Sequence, residues 1–153
     1  MSETKRRIMI VDDDLDMVPI YELVAEIEDT VIAIKKGGPS ALEFLNDLKY
    51  NVDAVICDLS MPVMDGITLT RLVRQNENLW GKERRIEVFW FTGFDFDPRN
   101  QFDPIMMAKE ELGVKMIFRK PYEPVTLIRA VKRFLLEEMT QELTPEETKA
   151  NGN

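Results

Sequence analysis

The sequence predicts an α/β domain, a doubly wound parallel sheet with helices on both faces, and three observations carry that prediction. Five short apolar runs alternate with five stretches of helical apolar spacing along the 153 residues, the pattern of a parallel sheet covered on both sides. The runs are close to continuously apolar, as strands buried on both faces are. Unusual polar residues also fall directly after runs one, three, four and five, at strand ends that share one edge of a parallel sheet.

Ile8-Met9-Ile10-Val11 is the first strand, and it stops abruptly at Asp12-Asp13-Asp14. Met17, Ile20, Tyr21, Val24 and Ile27 then mark one face of a helix. Pro19 fits its first turn, and Asp14 or Asp16 suits the positive end of its dipole. Val31 to Ile34 is the second strand. Gly37-Gly38-Pro39-Ser40 is a turn with Ser40 as candidate cap, and Ala41, Leu42, Leu45 and Leu48 give the second helix. Asp53 to Asp58 is the third strand; Pro62 and Gly66 shape the loop after it, and Ile67, Leu69, Leu72 and Val73 set a third helix to about Asn76. Glu77 to Arg85 is a polar connection whose one large apolar residue is Trp80. Val88 to Phe91 is the fourth strand, ending at Thr92-Gly93; Pro104 to Leu112 is a short fourth helix; Met116 to Phe118 is the fifth strand, ending at Lys120-Pro121. Leu127, Ile128, Val131, Phe134 and Leu135 stripe the last helix, with Arg129, Lys132 and Arg133 facing away. The domain is expected to span 5–139, and the polar stretch 140–153, which has no apolar period, reads as a disordered tail.

Composition narrows the function. Lys and Arg number 20 against 28 Asp and Glu, a formal charge of -8, which opposes nucleic acid and anionic membrane surfaces and tolerates a bound cation. Neither is expected as a partner. No apolar run approaches spanning length, Ser2 to Arg7 is polar before only four apolar residues, and the single cysteine, Cys57, can form no internal disulfide. A cytoplasmic protein is expected. The absence of histidine removes Ser-His-Asp hydrolysis, histidine-ligated zinc and a phosphohistidine on this chain. Any metal site must then be built from oxygen, which points to Mg²⁺, Mn²⁺ or Ca²⁺.

If strands one and three are neighbours, Asp12, Asp13 and Asp58 crowd together, and their repulsion calls for a divalent cation. Mg²⁺ fits such a cluster, since it takes a few carboxylates, keeps waters and accepts a phosphoryl oxygen. Thr92 offers a hydroxyl and Lys120 a point charge for phosphoryl oxygens. The set reads as a phosphoryl-transfer site with Asp58 as nucleophile. Val11-Asp12-Asp13, the Asp58-Leu59-Ser60-Met61-Pro62-Val63-Met64-Asp65-Gly66 loop, Phe91-Thr92-Gly93 and Arg119-Lys120-Pro121 follow in the order seen in receiver domains of two-component response regulators, and the sequence resembles that family over nearly its whole length. The resemblance implies a flavodoxin-like (βα)5 fold with strand order 2-1-3-4-5. It implies Asp58 as phosphoacceptor, Asp13 and Asp58 as ligands of Mg²⁺ (Mn²⁺ in its place), Asp12 acting largely through water, and the Ser60 main-chain carbonyl completing the protein ligands. Thr92 and Lys120 would bind the phosphoryl group. The donor would be a sensor histidine kinase or a histidine phosphotransfer protein. The expected protein is a stand-alone receiver, a regulatory phosphoacceptor rather than an enzyme, with output through contacts to a downstream protein; a phosphorylation-dependent dimer is compatible with this.

Two departures stand out. The family's usual aromatic three residues before the lysine is Ile117 here, and Phe94 to Asp103 is long for the family. Its three phenylalanines suggest either a partner surface or a flap folded back on the fourth helix, and Phe94 is a candidate to restrict water near Asp58. Two alternatives compete: a receiver fold used as a constitutive binding module, and a haloacid-dehalogenase-like phosphatase, suggested by Val11-Asp12-Asp13-Asp14 and Thr92. The phosphatase family needs a late acidic pair, and no aspartate follows Lys120.

Overall fold

The computed structural model describes residues 6–81 and 85–151, with side chains described as far as residue 138. The elements alternate without exception: β1 (Ile8–Val11), α1 (Val18–Ile27), β2 (Val31–Lys35), α2 (Gly38–Asn46), β3 (Ala54–Asp58), α3 (Gly66–Glu77), β4 (Glu87–Thr92), α4 (Pro104–Leu112), β5 (Met116–Arg119) and α5 (Pro124–Asn151). The strands form one parallel sheet in the order β2-β1-β3-β4-β5. The chain reverses direction across the sheet between β1 and β3, so the crevice beyond their carboxyl ends is the switch point where such sheets bind ligands.

Strand alternation divides the core in two. Met9, Val11, Val55, Cys57, Val88 and Trp90 face α2, α3 and α4 through Ala41, Leu45, Leu69, Val73, Ala108 and Leu112. Ile8, Ile10, Ile56, Phe89, Phe91 and Phe118 face α1 and α5 through Tyr21, Val24, Leu127, Ile128 and Val131. Cys57 is fully buried, and burial pushes its thiol up. Trp90 is also fully enclosed, with its indole N–H satisfied by the Thr70 hydroxyl at 2.9 Å.

Three local expectations need correction. Ile20 and Ile27, expected on the buried face of α1, are exposed, because Tyr21 and Val24 define the inward stripe and both isoleucines lie on its flank. Leu48 does not belong to α2. Asp47 ends that helix, takes the Lys49 N–H on its side chain, and a short 3-10 turn carries Leu48 outward. Ser40 is not the cap of α2 either: the helix starts at Gly38 with Gly37 in the cap position, and the Ser40 hydroxyl donates back to the Gly37 carbonyl at 3.1 Å. The caps that do form are at Asp65, which accepts from Thr68 N–H, and Asp103, which accepts from Ile105 N–H and Met106 N–H. Trp80, in the connection after α3, donates to Asn46 at 2.9 Å and packs on the α2 side of the core. The backbone of α5 stays helical to Asn151. The expected domain start at residue 5, and the side chains that would define the tail 140–153, lie outside the described residues. No described helix is long and apolar enough to cross a membrane.

Candidate phosphoryl-transfer site

β1 and β3 are adjacent and in register, with Val11 beside Cys57, so the residues that follow them meet above the sheet. Asp12, Asp13 and Asp58 each bring a carboxylate oxygen to within 4.8 Å of the others. Asp12 and Asp58 are almost completely buried, while Asp13 is half-buried at the rim. An anion cluster this close needs positive charge or strong donors. Lys120, directly after β5, supplies the charge: its ammonium lies 2.8 Å from Asp58 Oδ2. The Ser60 N–H donates to Asp58 Oδ1 at 3.1 Å.

The charges act on one another as the geometry demands. Burial pushes the Asp12 carboxyl up, and the Asp58 charge adds to it, against the donors Asp14 N–H and Tyr21 and the charge of Lys120. For Lys120 burial works downward, but the hydrogen bond and charge of Asp58, helped by Asp12 and Asp13, outweigh it and hold the ammonium above its usual range.

Thr92 ends β4, 1% exposed, beside the cluster's edge of the sheet. Its hydroxyl oxygen accepts the Phe94 N–H at 2.9 Å, and its carbonyl accepts the Lys120 N–H at 2.8 Å. The first bond occupies a lone pair and leaves the hydroxyl proton free to donate. The second ties the Thr92 and Lys120 ends together.

The loop after β3 is shaped by a close approach. A Cβ at Gly66 would lie 2.4 Å from the Asp58 carbonyl oxygen, so no larger residue fits there without moving the backbone that carries Asp58. Gly66 N–H instead bonds the Leu59 carbonyl at 3.0 Å and closes the loop. Ser60 lies within it. All six residues singled out in the sequence, Asp12, Asp13, Asp58, Ser60, Thr92 and Lys120, therefore fall at one edge of the sheet.

Sequence reasoning missed Tyr21. It was legible only as a core position of α1, yet its hydroxyl donates to Asp12 Oδ2 at 2.7 Å. Burial, then the bond to Asp12, pushes its phenol far up, so it remains a donor. Nothing in the local spacing marks that bond, because it joins residues nine apart across a turn.

The segment after Thr92 answers both readings of its phenylalanines in part. Phe96 is buried, and the Arg119 guanidinium of β5 stacks 4.2 Å from its ring centre and donates to its carbonyl. Phe94 and Phe102 are exposed. Phe102 lines an open groove of about 660 Å³ with Met106 and Met107 of α4. Ile117 packs half-buried against the core on the α4 side of the sheet, so no ring occupies its place on β5.

The response regulator receiver domain family matches residues 8–132. The transcriptional regulatory protein FlgR of Helicobacter pylori is 32% identical over 127 residues, which are 83% of this chain and 29% of that protein. Histidine kinase 2 of Arabidopsis thaliana is 29% identical over 140 residues, covering 85% of this chain and 12% of the kinase. The chain thus spans less than a third of the length of these relatives. Among solved structures, the REC domain of AraT, a response regulator from Geobacillus stearothermophilus, superposes with a TM-score of 0.65 at 28% identity, over 92% of this chain and 99% of that one. A CheY-like receiver domain protein from Methanospirillum hungatei JF-1 gives a TM-score of 0.69 at 20% identity, over 90% and 99%, a likeness of fold alone.

Proposed function

The chain belongs to the response regulator receiver domain family, and from that premise we propose that it is a phosphorylation-controlled switch that accepts a phosphoryl group on Asp58. The observation that carries the reading is the convergence of three carboxylates within 4.8 Å on a lysine 2.8 Å from one of them. A structural ion pair needs only one acid. Three acids at a switch point, with a buried threonine whose hydroxyl can donate, suit an incoming phosphoryl group.

The donor in this reading is a phosphohistidine on a sensor histidine kinase or phosphotransfer protein. An Asp58 carboxylate oxygen attacks the phosphorus, the P–N bond breaks, and the electron pair leaves with the imidazole of the donor. Lys120 shifts its ammonium from the carboxylate to a phosphoryl oxygen, and the Thr92 hydroxyl donates to another. Because the same residue accepts the Phe94 N–H, movement of Thr92 pulls on the segment that follows, and output leaves through protein contacts there.

The acid cluster fits a hard divalent cation: its donors are all oxygens and its charge exceeds what Lys120 neutralises. Asp13, Asp58 and the Ser60 main-chain carbonyl would hold Mg²⁺, or Mn²⁺ in its place, with Asp12 acting through water. The cation supplies charge neutralisation for the cluster and the arriving phosphoryl oxygens.

Intact mass after incubation with acetyl phosphate and Mg²⁺ tests the proposal. We expect one added phosphoryl group, absent without Mg²⁺ and absent in Asp58→Ala. If neither this adduct nor a beryllofluoride complex forms, the chain is a constitutive binding module, the alternative that Ile117 favours.

A further inference from the structure

Asp12 is held on both oxygens by the chain itself. The buried Tyr21 hydroxyl donates to Oδ2 at 2.7 Å, and the Asp14 main-chain N–H donates to Oδ1 at 3.0 Å. These two donors fix the plane of the carboxylate and leave each oxygen with lone-pair capacity for a water. Asp13 differs: among the described residues none donates a hydrogen bond to its side chain, so it is free to turn toward a cation.

The ring of Tyr21 packs in the core between α1 and the sheet, and a phenylalanine would fill the same space. The hydroxyl is the additional atom. It sits at the wall of a cleft of about 430 Å³ lined also by Asp12, Asp14, Phe91, Lys120 and Tyr122, so the Tyr21–Asp12 pair, though buried, borders that cleft. A cation ligated directly through Oδ2 competes with the phenol for that oxygen's electron density, and a carboxylate that turns to meet the cation costs the phenol its partner at the margin of an apolar core. That loss is one buried charge-assisted hydrogen bond.

We propose that Tyr21 is a positioning residue that sets the cation preference of the acid cluster. By holding Asp12 back as an acceptor for water, it restricts the carboxylates that bind directly to Asp13 and Asp58. Mg²⁺ retains several waters and suits that restriction; Ca²⁺ takes six to eight oxygen ligands in looser geometry and gains from a third direct carboxylate. The proposal rests on the cation site described above.

Tyr21→Phe removes the hydroxyl and keeps the ring. Mg²⁺ and Ca²⁺ are titrated calorimetrically into the wild type and the variant, and the readout is the ratio of the Ca²⁺ Kd to the Mg²⁺ Kd. We expect the ratio to fall by about tenfold in the variant, in the range of outer-sphere substitutions at metal sites. Val24→Ala, on the same buried face of α1 but with no bond to the site, controls for packing: it lowers Tm and leaves the ratio unchanged. An unchanged ratio in Tyr21→Phe, or an equal fall in Val24→Ala, overturns the proposal. A wild type that binds neither cation overturns the cation site itself and this proposal with it, and that outcome is distinct because it appears before any substitution is made.

Discussion

Val63 is held at φ 69°, in the left-handed region that a β-branched side chain adopts only under strain. The Met64 N–H bonds the Pro62 carbonyl at 2.7 Å, which makes the strained residue the centre of a three-residue turn in the loop that carries Ser60 and closes on Gly66. Its side chain is 96% exposed, so packing does not repay the strain. Asn tolerates positive φ better than valine does, and Val63→Asn should therefore stabilise the protein by about 1 kcal/mol, the lower part of the range for left-handed residues. Urea unfolding measures this, and an unchanged or lower midpoint would count against the strain. The conformation is not written in the sequence, where Pro62 and Gly66 announce a turn but a valine between them argues for extended backbone. The acids, Thr92 and Lys120 were legible for the opposite reason: each follows an apolar run, and a polar residue there has nowhere to go but the strand end. The Tyr21 hydroxyl was invisible because apolar spacing describes its ring alone.

At the scale of elements, the segment between β4 and α4 is where this chain is most its own. Thr92 pairs with Arg119 across β4 and β5, which brings the arginine under the segment leaving β4. There Arg119 stacks on Phe96, donates to its carbonyl, and lies 3.5 Å from Asp95. The far end of the segment is held separately: Asp103 caps α4 and also accepts the Asp97 N–H at 3.0 Å. Arg119→Ala should free the first half and leave the second. Loss of a stacked, hydrogen-bonded guanidinium is worth about 1 to 2 kcal/mol, so amide exchange across 94–96 should quicken by about tenfold while Asp97 and α4 are unchanged. Exchange that is equal in both proteins would show that Phe96 is held by burial alone. Sequence reasoning located this segment by its length and its rings but could not say which ring is buried. Positions 94, 96 and 102 share the two-residue period of a strand, which would put all three on one face and so does not single out the buried ring, and the partner lies on a strand that only the sheet register aligns. The strands and helices themselves were legible, since apolar runs and helical stripes are local patterns. Their ends moved where a single side chain decides them, as Asp47 does for α2.

For the whole molecule, strand order and the two-sided core follow from the alternation of elements together with the family resemblance, and the structure bears both out. That architecture puts three carboxylates at one edge of a chain whose formal charge is already -8. Folding must therefore assemble like charges that the unfolded chain keeps apart in solvent. Lys120 compensates Asp58 directly, and Tyr21 and the Asp14 N–H stabilise Asp12. Asp13 accepts no hydrogen bond among the described residues and has only a share of the Lys120 charge, so its charge is the one whose removal relieves the fold most. Without metal, Asp13→Ala should be more stable than the wild type by about 1 kcal/mol, the discount from the bare Coulomb value reflecting its place at the solvent rim. With Mg²⁺ the order should reverse. A ligand that binds only the folded form adds about 2.7 kcal/mol at one hundred times its Kd, and the wild type should gain that stability while Asp13→Ala gains none. Thermal melts of both proteins across a Mg²⁺ series test the two halves together. A metal-free variant that melts below the wild type would show that Asp13 serves the fold through its bonds, and a variant that still responds to Mg²⁺ would place the cation elsewhere. Crossing of the two stability curves is the result that ties the charge of the cluster to the cation, because neither lost packing nor general salt screening can change sign with a single divalent ion.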